Sequence, residues 1–201
     1  PRGHRYEPEN PNILLSIPTT ISAQEASAKL TELLTLAANY RQIERCINLI
    51  PDNKIIFDIP CITPLYANDF TNLHISSYYG NRLHPIQHEY KHHSGIDLPG
   101  RLGEKVYATA NGIVNAVAQD PITGKYVKIR HKYGFETMYG HLKLQAVNYG
   151  DTVHIGKIIG YVGNTGQSTG PHLHYTIKKN DIEQNPLPFC YLYLEWLKKA
   201  N

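Results

Sequence analysis

His88-Glu89-Tyr90-Lys91-His92-His93-Ser94-Gly95-Ile96-Asp97 carries two metal-ligand patterns overlaid on one another. Residues 88–92 spell H-E-x-x-H, which works on a helix, where side chains four apart share a face. Residues 93–97 spell H-x-G-x-D, which suits an extended chain, where residues two and four apart point to one side. The two readings require different folds and exclude each other. Pro85 precedes His88 by three residues and Gly95 follows His92 by three, which leaves little length and no apolar stripe for a helix. No third ligand follows on a later helix. The extended reading is therefore expected: His93 and Asp97 face one metal, Gly95 leaves space between them, and His88 and His92 belong to a rim loop.

The surrounding sequence agrees with strands. From Lys54 onward, short segments rich in Val, Ile, Tyr and Thr alternate with Gly and Pro: KIIFDIP, VYATANGIVNAVAQ, KYVKIRH, FETMYGHL, IIGYVG and HLHYTIK. The predicted fold class is mainly β, a compact antiparallel sheet. Fifteen tyrosines fit half-buried strands or a groove lining, having a polar tip on an apolar ring. In HLHYTIK, His172 and His174 stand two apart and share a face, while Leu173 points to the core. The preceding GNTGQSTGP lacks the Gly-Lys-Ser/Thr ending of a phosphate loop and leads into a strand, so it reads as a tight turn.

Before this β region the pattern differs. Residues 1–20 are rich in Pro, Asn and Glu and read as an extended arm. Ser22 and Glu25 form a capping box, and Ala26, Leu30, Leu33, Leu34, Ala37, Tyr40, Ile43 and Ile47 recur at helical spacing up to Pro51. One amphipathic helix is predicted there, so the chain divides into 1–53, arm and helix, and 54–201, the β domain, closed by a short helix over Cys190–Lys199. The apolar stripe extends the core or, alternatively, occludes the groove as an intramolecular regulator.

Composition narrows the function. A content of 41% hydrophobic and 18% charged residues is that of a soluble globule, and no apolar run approaches the ~18 residues of a membrane span. A net charge of +3, without Lys/Arg clusters interleaved with aromatics, gives no nucleic-acid face. Cys46, Cys61 and Cys190 lack C-x-x-C spacing and are either buried thiols or one bridge plus a free thiol. The V-x-A-x-A-x-G-x-V run from Val106 to Val114, followed by Gly150 to Gly160, resembles biotinyl and lipoyl carrier domains, but the modified-lysine setting of those carriers is absent.

Four blocks taken in order resemble one known family, the lysostaphin or LytM-type zinc endopeptidases of bacterial cell-wall peptide. They are Gly80-x-Arg82-x-His84-Pro85, His93-x-Gly95-x-Asp97, Tyr139-Gly140-His141-Leu142 and the long run from Gly163 through Thr165, Gly166, Ser168 and Pro171 to His172-Leu173-His174-Tyr175. The resemblance covers about residues 76 to 190. It implies a LytM/lysostaphin-like catalytic domain related to the barrel-sandwich hybrid, preceded by the N-terminal amphipathic helix. Zn2+ would be held by His93, Asp97 and His174, with water in the fourth position, as catalytic rather than structural zinc requires. His141 and His172 would handle the proton and the developing oxyanion. Arg82, His84, Tyr79 and Tyr78 would line the substrate side. The implied partner is the peptide of peptidoglycan, at an extracytoplasmic location, with the export signal absent from this chain. Thr176 stands where the family commonly has an acidic residue, and Gly156-Lys157-Ile158-Ile159-Gly160 replaces the usual Gly-Gln-x-Ile-Gly. Some relatives are non-catalytic modules that bind and activate other wall hydrolases. Those typically lack ligands, and none is missing here, so an active zinc endopeptidase is expected.

Overall fold

The computed structural model describes residues 23–48, 54–66, 73–83 and 89–200 of the 201-residue chain. The predicted arm, Ser22 of the capping box, His84 and His88 lie outside these residues.

The helical stripe before Pro51 folds as two helices, α1 (Ala23–Leu36) and α2 (Tyr40–Asn48), rather than the single predicted one. The break has a local cause. Asn39 Oδ1 accepts from the Gln42 amide at 3.2 Å, and Gln42 Oε1 accepts from the Ala38 amide at 2.7 Å, so this pair caps a new helix start. Leu30, Leu33, Leu34, Ala37, Ile43 and Ile47 are buried, as the apolar spacing predicts. KIIFDIP is not a strand. Lys54–Asp58 forms a short 3-10 helix that buries Ile56, and Ile59, just past its end, is buried three residues on.

The rest is antiparallel β structure, as expected. Following β1 (Gly80–Leu83), β2 (Tyr90–His93) and β3 (Ile96–Pro99) come β4 (Lys105–Tyr107), β5 (Gly112–Asp120), β6 (Gly124–Arg130) and β7 (Phe135–Gln145). Then come β8 (Thr152–Val153), β9 (Ile158–Val162), β10 (His172–Lys179), β11 (Ile182–Gln184) and a closing helix α3 (Leu187–Ala200). The main sheet runs β11-β10-β7-β6-β5-β8, with β3 on β10, β9 on β7 and β4 on β9, while β1 and β2 form a separate hairpin.

Alternation along β10 sets the two faces of the sheet. Leu173, Tyr175 and Ile177 are fully buried, and His172 and His174 point the other way. Tyr139 and Tyr175 are core residues whose hydroxyls are satisfied at Thr109 Oγ1, 2.9 Å from each. The far end of β10 is held by the helices. Buried Lys179 donates to the Thr35 carbonyl at 3.0 Å, near the C-terminus of α1. Phe189 of α3 packs edge-on against Tyr40 and Phe135 at ring distances of 5.1 and 5.9 Å. Cys46, Cys61 and Cys190 are buried, unpaired thiols. Among the described residues, no helix is long and apolar enough to cross a membrane.

Candidate metal centre and active site

Strand register builds the site. On one edge of β10, His174 lies opposite Asp97 of β3; on the other, it lies opposite Gly140 of β7. Tyr90–His93 is extended, so the H-E-x-x-H reading fails: His92 is on a strand and bonds Asn81 and Glu183 at 3.3 and 3.2 Å. Nor is it in a rim loop. The bend at Ser94-Gly95 then brings His93 and Asp97 to the same point. Gly95 serves a different purpose from the one read in the sequence. A Cβ there would lie 2.3 Å from the Tyr175 carbonyl oxygen and 2.8 Å from Thr176 Cγ2, so glycine is what lets the bend press on β10. In the hairpin, Gly80 lies opposite His93 at φ 109, a conformation that glycine alone adopts readily.

Three acceptor atoms converge. His174 Nδ1 lies 2.8 Å from Asp97 Oδ1, His93 Nε2 lies 3.2 Å from the same oxygen, and the two imidazole nitrogens are 3.1 Å apart. The three side chains form the one His/Cys/Asp/Glu cluster of metal-binding geometry among the described residues. His93 Nδ1–H donates to the Tyr78 carbonyl at 2.9 Å, which commits its Nε2 to the cluster as a lone pair. The His93 lone pair and the Asp97 carboxylate repel each other at this range unless a proton or a metal cation lies between them and His174 Nδ1. The N, N, O donor set suits zinc, so the residues present fit the ion that the sequence implies.

Electrostatics agree. Burial alone would raise the Asp97 carboxyl, but a proton on the facing nitrogen of His174 or His93, whose place a metal cation would take, holds it well below the usual carboxylate range. Burial lowers His174, more than the bond to Asp97 raises it.

A second histidine pair stands beside the first. The rings of His141 and His172 are 4.6 Å apart, and His141 is 5.9 Å from His174. His141 Nδ1–H donates to the Thr165 carbonyl at 2.7 Å, and His172 Nδ1–H to the Gly170 carbonyl at 2.8 Å. Each therefore keeps Nε2 as a base; that of His172 lies 3.8 Å from Asp97 Oδ1. Burial, partly offset by the Thr165 bond, pushes His141 down to about 4, so it is neutral at pH 7.

The substrate side is more mixed. A cavity of about 450 Å³ opens next to the cluster, lined by Ser76, Ser77, Arg82, Asp97, Thr169 and His172. Among the described residues, no tyrosine lines it. Tyr79 turns toward β11, its hydroxyl 3.5 Å from the Glu183 carbonyl, and the Tyr78 ring is exposed. Thr165 and Ser168, part of the motif run from Gly163 to Tyr175 but given no role there, belong to the site. The Thr165 hydroxyl donates to the Leu142 carbonyl at 2.9 Å and accepts from the Lys125 amide at 3.0 Å, pinning the carbonyl that orients His141. Their sequence signal is their place in that run, as hydroxyl residues set among glycines. A more apolar cavity of about 500 Å³, lined by Cys61, Leu65, Tyr107, Cys190 and Tyr193, contains none of these groups.

Comparison with known proteins agrees with this architecture. Residues 91–186 match the model of peptidase family M23. The catalytic domain of lysostaphin from Staphylococcus simulans is 30% identical, with 94% of that domain and 60% of this chain aligned at a TM-score of 0.54. The chain belongs to peptidase family M23. A zinc containing peptidase from Vibrio cholerae is 32% identical over 61% of this chain and 37% of that one, with a TM-score of 0.55. The DD-carboxypeptidase/endopeptidase Mpg of Neisseria meningitidis is 43% identical over 113 residues, 56% of this chain. The chain spans about a quarter, 26%, of that relative's length.

Proposed function

We propose that this chain is a zinc-dependent endopeptidase that hydrolyses peptide bonds in the stems or cross-links of bacterial peptidoglycan, outside the cytoplasm. The observation that carries this reading is the convergence of His93 Nε2, Asp97 Oδ1 and His174 Nδ1, with the bases His141 and His172 alongside. Family membership and the similarity to Mpg, named for its DD-carboxypeptidase/endopeptidase activity, support the substrate class.

A zinc ion held by His93, Asp97 and His174 would supply Lewis acidity, polarising a carbonyl and bringing the pKa of bound water to about 7. The remaining work falls to the protein. Nε2 of His141 or His172 takes the proton from the attacking water, and the same pair returns a proton to the departing amine. Such positioned proton transfer contributes roughly 10²- to 10⁴-fold. Neutrality at pH 7 makes His141 ready to act as the acceptor. The cavity beside Asp97 and His172 receives one side of the peptide, with Arg82 and the hydroxyls of Ser76, Ser77 and Thr169 at its walls.

His174→Ala tests this against the binding-module alternative. Incubated with purified sacculi, the variant is expected to release no peptide fragments while still sedimenting with the wall. Undiminished fragment release by His174→Ala would overturn the proposal.

A further inference from the structure

The Asp97 carboxylate has two different sides. Its Oδ1 faces three imidazoles: His174 Nδ1 at 2.8 Å, His93 Nε2 at 3.2 Å and His172 Nε2 at 3.8 Å. Its Oδ2 faces Arg82 Nη2 at 3.6 Å. Among the described residues, Arg82 is the one Arg or Lys within ion-pairing distance of Asp97. The guanidinium is not a loose surface group. Its side chain is 26% exposed, and its Nε is buried with no hydrogen-bond partner among the described residues. Leaving a buried N–H unpaired is costly and rare, so the position of this side chain calls for an explanation beyond packing.

The hairpin supplies the mechanical link. Arg82 lies on β1, opposite Lys91 of β2, and two pairs further along the same ladder Gly80 lies opposite the ligand His93. The segment leading into β1 is tied to the other ligand: the Ser76 amide donates to the Asp97 carbonyl at 3.0 Å, and the Asp97 amide donates to the Ser77 carbonyl at 2.9 Å. Arg82 and both outer ligands are thus carried by one small unit.

We propose that Arg82 is a positioning residue for the metal ligand Asp97, in addition to bordering the substrate cavity; this rests on the zinc-peptidase reading above. By attracting Oδ2, the guanidinium stops the carboxylate from turning both oxygens toward the ion. Oδ1 would then be the one carboxylate oxygen offered to a bound ion. Outer partners of ligating carboxylates commonly set metal affinity in this manner, and their loss costs roughly 10- to 100-fold.

The test compares wild type with R82M, R82Q and R82K. Metal-stripped protein is titrated with zinc against a competing chelator, the cobalt(II)-loaded forms are examined by visible absorption, and kcat and KM are measured on soluble muropeptides. R82M and R82Q are expected to bind zinc about 10- to 100-fold more weakly and to show a changed cobalt spectrum, with partial recovery of both in R82K. R82Q keeps reach and polarity without charge, so it carries the comparison should R82M fail to fold. Wild-type zinc affinity and an unaltered cobalt spectrum in the neutral variants, with only KM raised, would make Arg82 a substrate contact and overturn the inference. Failure of the underlying reading looks different: wild type and Asp97→Ala would then bind zinc equally.

Discussion

His141 occupies the left-handed region at φ 58, where a residue with a Cβ is strained, and such strain concentrates where function requires a particular side-chain direction. Its backbone is held by the Thr123 carbonyl, which accepts from the His141 amide at 2.8 Å, and its ring by Thr165. His141→Ala and His172→Ala are expected to lower kcat by roughly 10²- to 10⁴-fold while each variant keeps its zinc, as measured by metal analysis beside muropeptide kinetics. His131 plays a different part. It is buried between the Asn111 carbonyl and the Thr137 hydroxyl, each 2.8 Å away, and burial pushes it from the ordinary 6.5 down to about 4. Between those values the unfolded chain takes up a proton that the folded chain refuses. Its contribution to stability is therefore complete above pH 6.5 and declines toward pH 4, by about 1.4 kcal/mol per pH unit. Denaturant midpoints measured across that window should fall less steeply for His131→Gln than for wild type.

Between the strands, the contact that matters is the bend between β2 and β3 lying on β10. Gly95→Ala places a methyl group 2.3 Å from the Tyr175 carbonyl, a backbone atom that cannot swing aside. The expected loss is about 1–3 kcal/mol of stability, seen as a lower melting temperature, together with weaker zinc binding as Asp97 separates from His174. This contact also marks where sequence reading ended. H-x-G-x-D showed which residues share a site and that the chain is extended, because ligand spacing and strand periodicity are both local. That Gly95 is required by β10, nearly eighty residues away in sequence, is a tertiary fact with no local signal. The strands β6, β7, β9 and β10 were legible from their β-branched and aromatic runs, whereas β1, β8 and β11 are too short for alternation to register. The break between α1 and α2 was readable in principle from Asn39 and Gln42, but the apolar stripe continues across it and hides it.

For the molecule as a whole, helices and sheet share one buried apolar cluster that runs from Leu30 through Tyr175 to Leu192. The contact of α1 with Lys179 lies five residues beyond His174 on β10, about 17 Å along the strand. Removing the residues before Lys54 should therefore lower the melting temperature, by exposing Phe189 and depriving Lys179 of its acceptor, yet leave the hydrolysis rate per folded molecule unchanged. A large rise in that rate would favour occlusion of the groove by the N-terminal segment. The candidate site and its family were legible because the motifs stand at fixed spacings; the bond that the proposed enzyme would cut is set by cavity walls drawn from Ser76 to Thr169, which only folding assembles. Whether His93, Asp97 and His174 hold the ion on which the proposed hydrolysis depends is measured by mass spectrometry of fragments released from sacculi by metal-stripped protein as zinc is added back. Fragment release is predicted to be absent at first and to return in proportion up to one equivalent of zinc; the same fragments released at full rate by the stripped protein would contradict it.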